Sequence, residues 1–301
     1  MNVISITMAV VLAPLFIGIV NQTKAFFAGK KGPGLFRLYA DIWKLLGKSR
    51  PRHRHSTWVF EIAQPLSLAS VLVAAIIFPW NISAGSNLPV AVPVALFFYL
   101  LGSGRFFAVL GALDAGNAFE GMGASREVQF SALVEPVLFV SAGFLALLTG
   151  ETALSGILGG VPVQTWLQNI VPLVLAAFAF TIAFLSENCR VPFDDPETHL
   201  ELTMIHEAML LDVGGPDLAF ALYGAALKFE VLAAFLMMAV LPSFSSGWIR
   251  LLFVFIGIGT LSVSVGAIES AMARMRFLKA PQALMGATLV AALAVFLFVF
   301  F

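Results

Sequence analysis

Long apolar runs alternate with short polar ones along the whole chain. Eight of them approach the length of about 20 residues that a helix needs to cross a bilayer. They fall at residues 3–22, 60–79, 90–113, 129–149, 167–187, 218–241, 249–271 and 282–301. The first has no basic leading segment and no small-residue cleavage pattern, so it reads as a retained helix rather than a signal peptide. After it, "LFRLYADIWKLLGK" (residues 35–48) changes period. Arg37, Asp41, Lys44 and Lys48 recur on one helical face, and Leu35, Leu38, Tyr39, Ile42 and Leu46 form the opposite stripe. That pattern predicts an amphipathic helix in the membrane interface, introduced by the turn "KKGPG". It serves either as a lipid-anchored connector or as a docking or gating surface under a peripheral subunit. With no internal repeat and no low-complexity tract, the expected fold is an all-α polytopic membrane protein. It comprises eight transmembrane helices plus one interfacial helix, in a single domain over residues 1–301.

Composition agrees with this pattern. The chain is 60% hydrophobic and 11% charged, with a mean hydropathy of +0.96, too little charge to clothe a water-soluble globule. Its seventeen Lys and Arg fix an orientation. If the first polar loop is cytoplasmic, so are those near 114–128, 188–217 and 272–281. Fourteen of the seventeen cations then lie inside, with both termini outside. Arg250 borders an outer loop, while Arg105 and Lys228 fall within spans. The outer loops, among them "TGETALSGILGGVPVQT", are short and nearly uncharged. A net charge of zero gives no nucleic-acid signal. The single cysteine, Cys189, excludes an internal disulfide framework and an iron–sulfur cluster built from this chain alone. No metal-binding or nucleotide-binding spacing appears, so any redox centre belongs to another chain.

Charged groups inside spans are costly and usually functional. Counting inward at about 1.5 Å per residue puts Arg105 roughly 13 Å deep and Glu135 roughly 10 Å deep. Lys228 and Glu230 come near the midplane, and Glu61, Glu187 and Glu269 near the inner surface. Asp114 marks the inner end of its span. Arg105 and Glu135 are expected to face one another or a shared water pocket. The arrangement is either an ion pair that fixes helix packing or part of a hydrated half-channel for protons, handing on laterally to another membrane subunit. The mouth of that series is "SENCRVPFDDPETHLELTMIHEA". It gathers Glu187, Asp194, Asp195, Glu197, Glu201 and Glu207 with His199 and His206. Pro192 and Pro196 make its first part irregular, and "THLELTMIHEAMLL" has helical character. Its interleaved apolar residues suggest packing against another protein, against the plainer reading of a solvated acidic loop.

"ENCRVPFDDPETHLEL" resembles the signature loop of the subunit-1 family of respiratory complex I. Glu187, Arg190, Pro192, Phe193, Asp194, Pro196, Glu197, Glu201 and Leu202 match its pattern. "KKGPG" and "GASRE" resemble the family's first and second loops, and the likeness spans nearly the whole chain. "GASREVQFSALVEP" and "LTMIHEAMLLDVGGPDLA" are similar to the hydrogenase branch, the formate hydrogenlyase subunit 4 and hydrogenase-4 component C kind. "KKGPGLFR" departs from the complex I pattern Arg-x-Gly-Pro-Asn-x-x-Gly-Pro, which speaks against a quinone site.

The resemblance implies a non-catalytic anchor and coupling subunit in a bacterial or archaeal cytoplasmic membrane. Its partners would be the large and small subunits of a nickel–iron hydrogenase, an iron–sulfur subunit and an antiporter-like membrane subunit, set in membrane lipid. Those partners would carry the NiFe centre and the clusters. The coupling path would use Arg105, Asp114, Glu135, Glu187, Asp194, Asp195, Glu197, Glu201, Glu207, Lys228, Glu230 and Glu269. Lys30, Lys31, Arg37, Arg126, Arg190, His199 and His206 would meet the peripheral subunits. The competing reading is a quinone-site subunit of an NADH:quinone oxidoreductase-like complex.

Overall fold

The computed structural model describes residues 2–51, 56–81, 92–194, 205–242 and 246–300. Among the described residues, eight helices are long and apolar enough to cross a membrane. They are α1 (Asn2–Phe27), α3 (Trp58–Ile77), α4 (Val94–Asp114), α5 (Ala118–Thr149), α8 (Ile170–Glu187), α9 (Pro216–Val240), α10 (Gly247–Ala271) and α11 (Ala280–Phe300). Short helices complete the set: α2 (Arg37–Leu46), α6 (Leu154–Ile157) and α7 (Val163–Gln168). Among the described residues there is no β-strand, only an isolated bridge between Pro93 and Ala153. The chain is an integral membrane protein.

Helix α9 is the hub, touching α1, α2, α3, α8 and α10. Its residues 229–236 are buried without a break, as expected of a helix that is apolar on every side. One flank pairs α1 with α10, and the other packs α11 against α5 and α8. The α3–α4 pair is tight because glycines face α3. A Cβ on Gly111 would come within 2.6 Å of the Ala63 methyl, and one on Gly104 within 3.1 Å of the Ser67 carbonyl oxygen. Small residues substitute here for the hydrophobic drive that lipid removes. Asp114 ends α4 and caps α3, accepting from the amides of Thr57 (2.7 Å) and Phe60 (3.1 Å). Such a carboxylate suits the positive end of a helix.

One expectation needs correction. The stretch 114–128 is not a loop: α5 begins at Ala118, because Glu120 and Glu127 turn inward instead of into water. The stretch after Thr149 carries two short helices, α6 and α7. Helix α2 forms as the amphipathic pattern predicts. It packs on α9 and α1, with Tyr39 donating to the Val11 carbonyl and Leu38 touching the core. Its outer face leaves Trp43 78% exposed.

Candidate functional site

Arg105 sits midway along α4 and reaches toward the junction of α8 and α9. Its Nη1 donates to Glu187 Oε2, and its Nη2 donates to Glu135 Oε1 at 3.0 Å. Lys228 Nζ lies 3.0 Å from the other Glu187 oxygen. Glu187 therefore holds a cation on each oxygen with its side chain only 2% exposed. Glu135 is different: its side chain is 47% exposed on the flank of α5. The network so runs from the bundle interior to its lateral surface.

The chain folds tightly after Glu187 to make this possible. Cys189 takes a positive φ of 50°, and the Val191–Pro192 bond is cis. The Arg190 amide donates back to Leu185 at 2.9 Å. Asp194 then fastens the turn: its carboxylate accepts from the amides of Ile205 (3.2 Å) and His206 (3.3 Å) and lies 3.1 Å from Arg274. A second charged cluster sits beside the first. Glu269 on α10 lies 3.3 Å from Arg190 and 3.1 Å from Lys24 on α1. Arg190 also lies over the Phe229 ring, 5.7 Å from its centre.

A cavity of about 90 Å³ is lined by Arg105, Glu127, Glu187, Cys189, His206 and Lys228, among others. Charged groups cluster on one part of an otherwise largely apolar wall, and there is room for several waters. Burial, and then the charges of Glu127 and Asp194, push the Cys189 thiol well above its usual range. Such a thiol is a poor nucleophile and metal ligand. Burial, reinforced by Lys228 and Arg190, pulls His206 down to about 4. The imidazole is therefore neutral at ordinary pH and can pass hydrogen bonds without adding a charge. Among the described residues, no cluster of His, Cys, Asp or Glu is arranged to hold a metal ion.

The remaining residues singled out from sequence distribute unevenly. Glu230 is fully buried and neither of its oxygens has a hydrogen-bond partner. It stands two residues from Lys228, about 200° around the helix, so it points away from the side of α9 on which Lys228 meets Glu187. Glu187 was expected near the inner surface, yet it meets Arg105 and Lys228.

Arg190 and His206 turn into the bundle rather than toward an outside partner: Arg190 is 9% exposed and His206 lines the cavity. Asp114 is occupied as a helix cap, and Glu207 opens the 3₁₀ turn Glu207–Leu210. Lys30 and Lys31 are exposed, and Arg126 is half-buried. Arg126 lies 5.5 Å from the centre of the Phe277 ring, and Arg37 lies 3.5 Å from Asp41. Asp195, Glu197, His199 and Glu201 fall outside the described residues. Glu120, Glu127 and Lys24 were missed. Glu120 accepts from the Asp212 amide at 2.8 Å. Glu120 and Glu127 are seven apart, hence on one helix face, and that spacing was the available signal.

Fold and site together define a class: polytopic helical membrane subunits with ion-paired carboxylates inside one end of the bundle. Residues 1–300 match the NADH dehydrogenase family, and the chain belongs to that family, whose members include the subunit-1 type of complex I. It is 33% identical to formate hydrogenlyase subunit 4 of Escherichia coli (strain K12) over 274 residues, covering 88% of this chain and 87% of that protein. It is 34% identical to hydrogenase-4 component C of the same organism over 231 residues, covering 77% and 71%. NADH-ubiquinone oxidoreductase chain 1 of Yarrowia lipolytica is 25% identical over 190 residues, covering 60% and 54%. Among solved structures, a chain of the archaeal membrane-bound sulfane sulfur reductase superposes with a TM-score of 0.82. That likeness covers 98% of this chain and 97% of the other at 17% identity, and it concerns the fold.

Proposed function

We propose that this chain is the membrane anchor and coupling subunit of a membrane-bound nickel–iron hydrogenase complex of the formate hydrogenlyase kind. It links a peripheral redox module to proton or sodium translocation without a redox centre of its own. The observation that carries this reading is the buried network joining Glu187, Arg105, Lys228 and Glu135. It begins at the turn that would lie beneath the redox module and ends on an exposed carboxylate at the side of the bundle. Asp194 and Arg190 tie that turn to Arg274 and to Glu269 of α10, so a displacement of the turn is felt at Glu187, which ends α8 just before it. A half-exposed Glu135 within a span is costly against lipid. It fits a second membrane subunit packed over α5, which receives the ion. The charged end of the bundle faces the cytoplasm in this reading, with both termini outside.

The partner assignment is tested by purifying the native complex through a tag on this chain. Nickel together with a hydrogenase large and small subunit is the expected composition. A flavin-containing NADH module with bound quinone and no nickel would replace this reading with the complex I one.

A further inference from the structure

Helix α1 runs into "AFFAGKKGPG", and the way this segment folds creates a second cavity, distinct from the one lined by Arg105 and Glu187. Gly29 adopts a left-handed φ of 65°, which stops the helix. Gly32 then packs so closely on α1 that a Cβ there would sit 2.6 Å from the Ala25 methyl. These glycines hold Lys30 and Lys31 over a cavity of about 470 Å³ whose walls include Asn21, Lys24 and Ser270. The walls thus come from the last turns of two apposed membrane helices, α1 and α10. Lys24 spends its charge on Glu269. Neither Lys30 nor Lys31 forms an ion pair among the described residues.

Phe27 lines the cavity and is 59% exposed, and the Phe26 ring beside it, 5.8 Å away, is 79% exposed. Exposed apolar rings next to lysines at a span end fit the boundary between acyl chains and headgroups, where cations meet lipid phosphate.

We propose that this cavity binds the phosphate headgroup of an anionic phospholipid, held by Lys30 and Lys31 with Asn21 and Ser270 lining the floor. The rings of Phe26 and Phe27 lie along its upper acyl chain. Lipid is favoured over a protein partner because the walls are the ends of spans, at headgroup level. The volume also exceeds what a single inserted side chain would fill. Lipid here would lock the first loop to α1 and α10, beside the Lys24–Glu269–Arg190 cluster.

The test uses the intact complex in nanodiscs with a photoactivatable phosphatidylglycerol. The expected result is labelling of the peptide spanning residues 21–33, with little labelling by the phosphatidylcholine analogue. The double variant Lys30→Gln/Lys31→Gln should bind phosphatidylglycerol roughly thirtyfold more weakly, at the usual contribution of a basic residue near an anionic surface. Lys30→Arg/Lys31→Arg should retain it. Equal labelling by both lipids, or unchanged affinity in the Gln variant, would overturn the proposal. Competition by inorganic phosphate alone would assign the site to a free anion. Loss of peripheral subunits from the Gln variant with lipid labelling intact would assign it to protein docking. Labelling of the wild-type complex stands whether or not the variants assemble.

Discussion

The two ends of the bundle hold their helices together by different physics. Toward one end, rings interlock: Phe235 of α9 stacks on Phe97 of α4 at 5.9 Å and on Phe180 of α8 at 5.1 Å. Phe78 and Trp80 add a further pair at 4.8 Å. Toward the other end, the same α4, α8 and α9 are joined through Arg105, Glu187 and Lys228. Lipid is as apolar as the rings, so the aromatic end gains from close packing rather than from water exclusion. It has one good arrangement and little reason to change it. The charged end can exchange partners, because Glu187 has two cations within reach and Arg105 two carboxylates. A rigid clamp at one end lets rearrangement at the other be transmitted instead of dissipated.

That contrast is broken most severely by Arg105→Met. Removing one member of a buried ion pair typically costs about 3–5 kcal/mol, because the remaining charge is left uncompensated. The expected outcome is poor assembly of the complex on a native gel, partly rescued by the additional change Glu187→Gln. Phe235→Ala should cost less, roughly 2–3 kcal/mol, since only packing and cavity terms are lost in an apolar surround. It should lower the thermal midpoint while leaving the ion-paired end's response intact, and Phe235→Leu should lower it less.

The segment 205–215 has its own pH dependence. His206 is held down to about 4 while packed, against 6.5 when free. Above 6.5 it is neutral in both states. As pH falls from 6.5 toward about 4, only the released segment takes up the proton, so the packed form loses stability across that window. Hydrogen exchange at 205–215 should quicken there, and His206→Gln should remove that dependence. The smallest effect is expected from Tyr223→Phe. Pro14 lacks the amide that would bond the Val10 carbonyl, and the Tyr223 hydroxyl donates to it instead at 2.7 Å. Losing that bond should cost about 1 kcal/mol, read as a small drop in the thermal midpoint.

The eight spans were legible because apolar length is what the bilayer demands, and helix boundaries shifted mainly where charges turned inward. At α5, Glu120 and Glu127 look like loop residues until the segment near Asp212 is seen packed on them. The Arg105–Glu135 contact was readable from similar depth on successive antiparallel helices. The pairing of Glu187 was not, because it depends on how α4, α8 and α9 pack together, which no local spacing encodes. Lys228 and Glu230 show the opposite case. Helical geometry alone sends residues two apart to opposite faces, so their separation was written in the sequence.

The central claim is that the Glu187 network couples rather than merely packs. Its most direct measurement is the number of ions translocated per hydrogen molecule turned over, in proteoliposomes carrying the complex with Glu187→Gln. The side chain keeps its shape and loses its charge. Near-normal hydrogen turnover with most translocation lost is the predicted result. An unchanged ion-to-hydrogen ratio in a fully assembled complex would contradict it and leave the network a structural tie between helices.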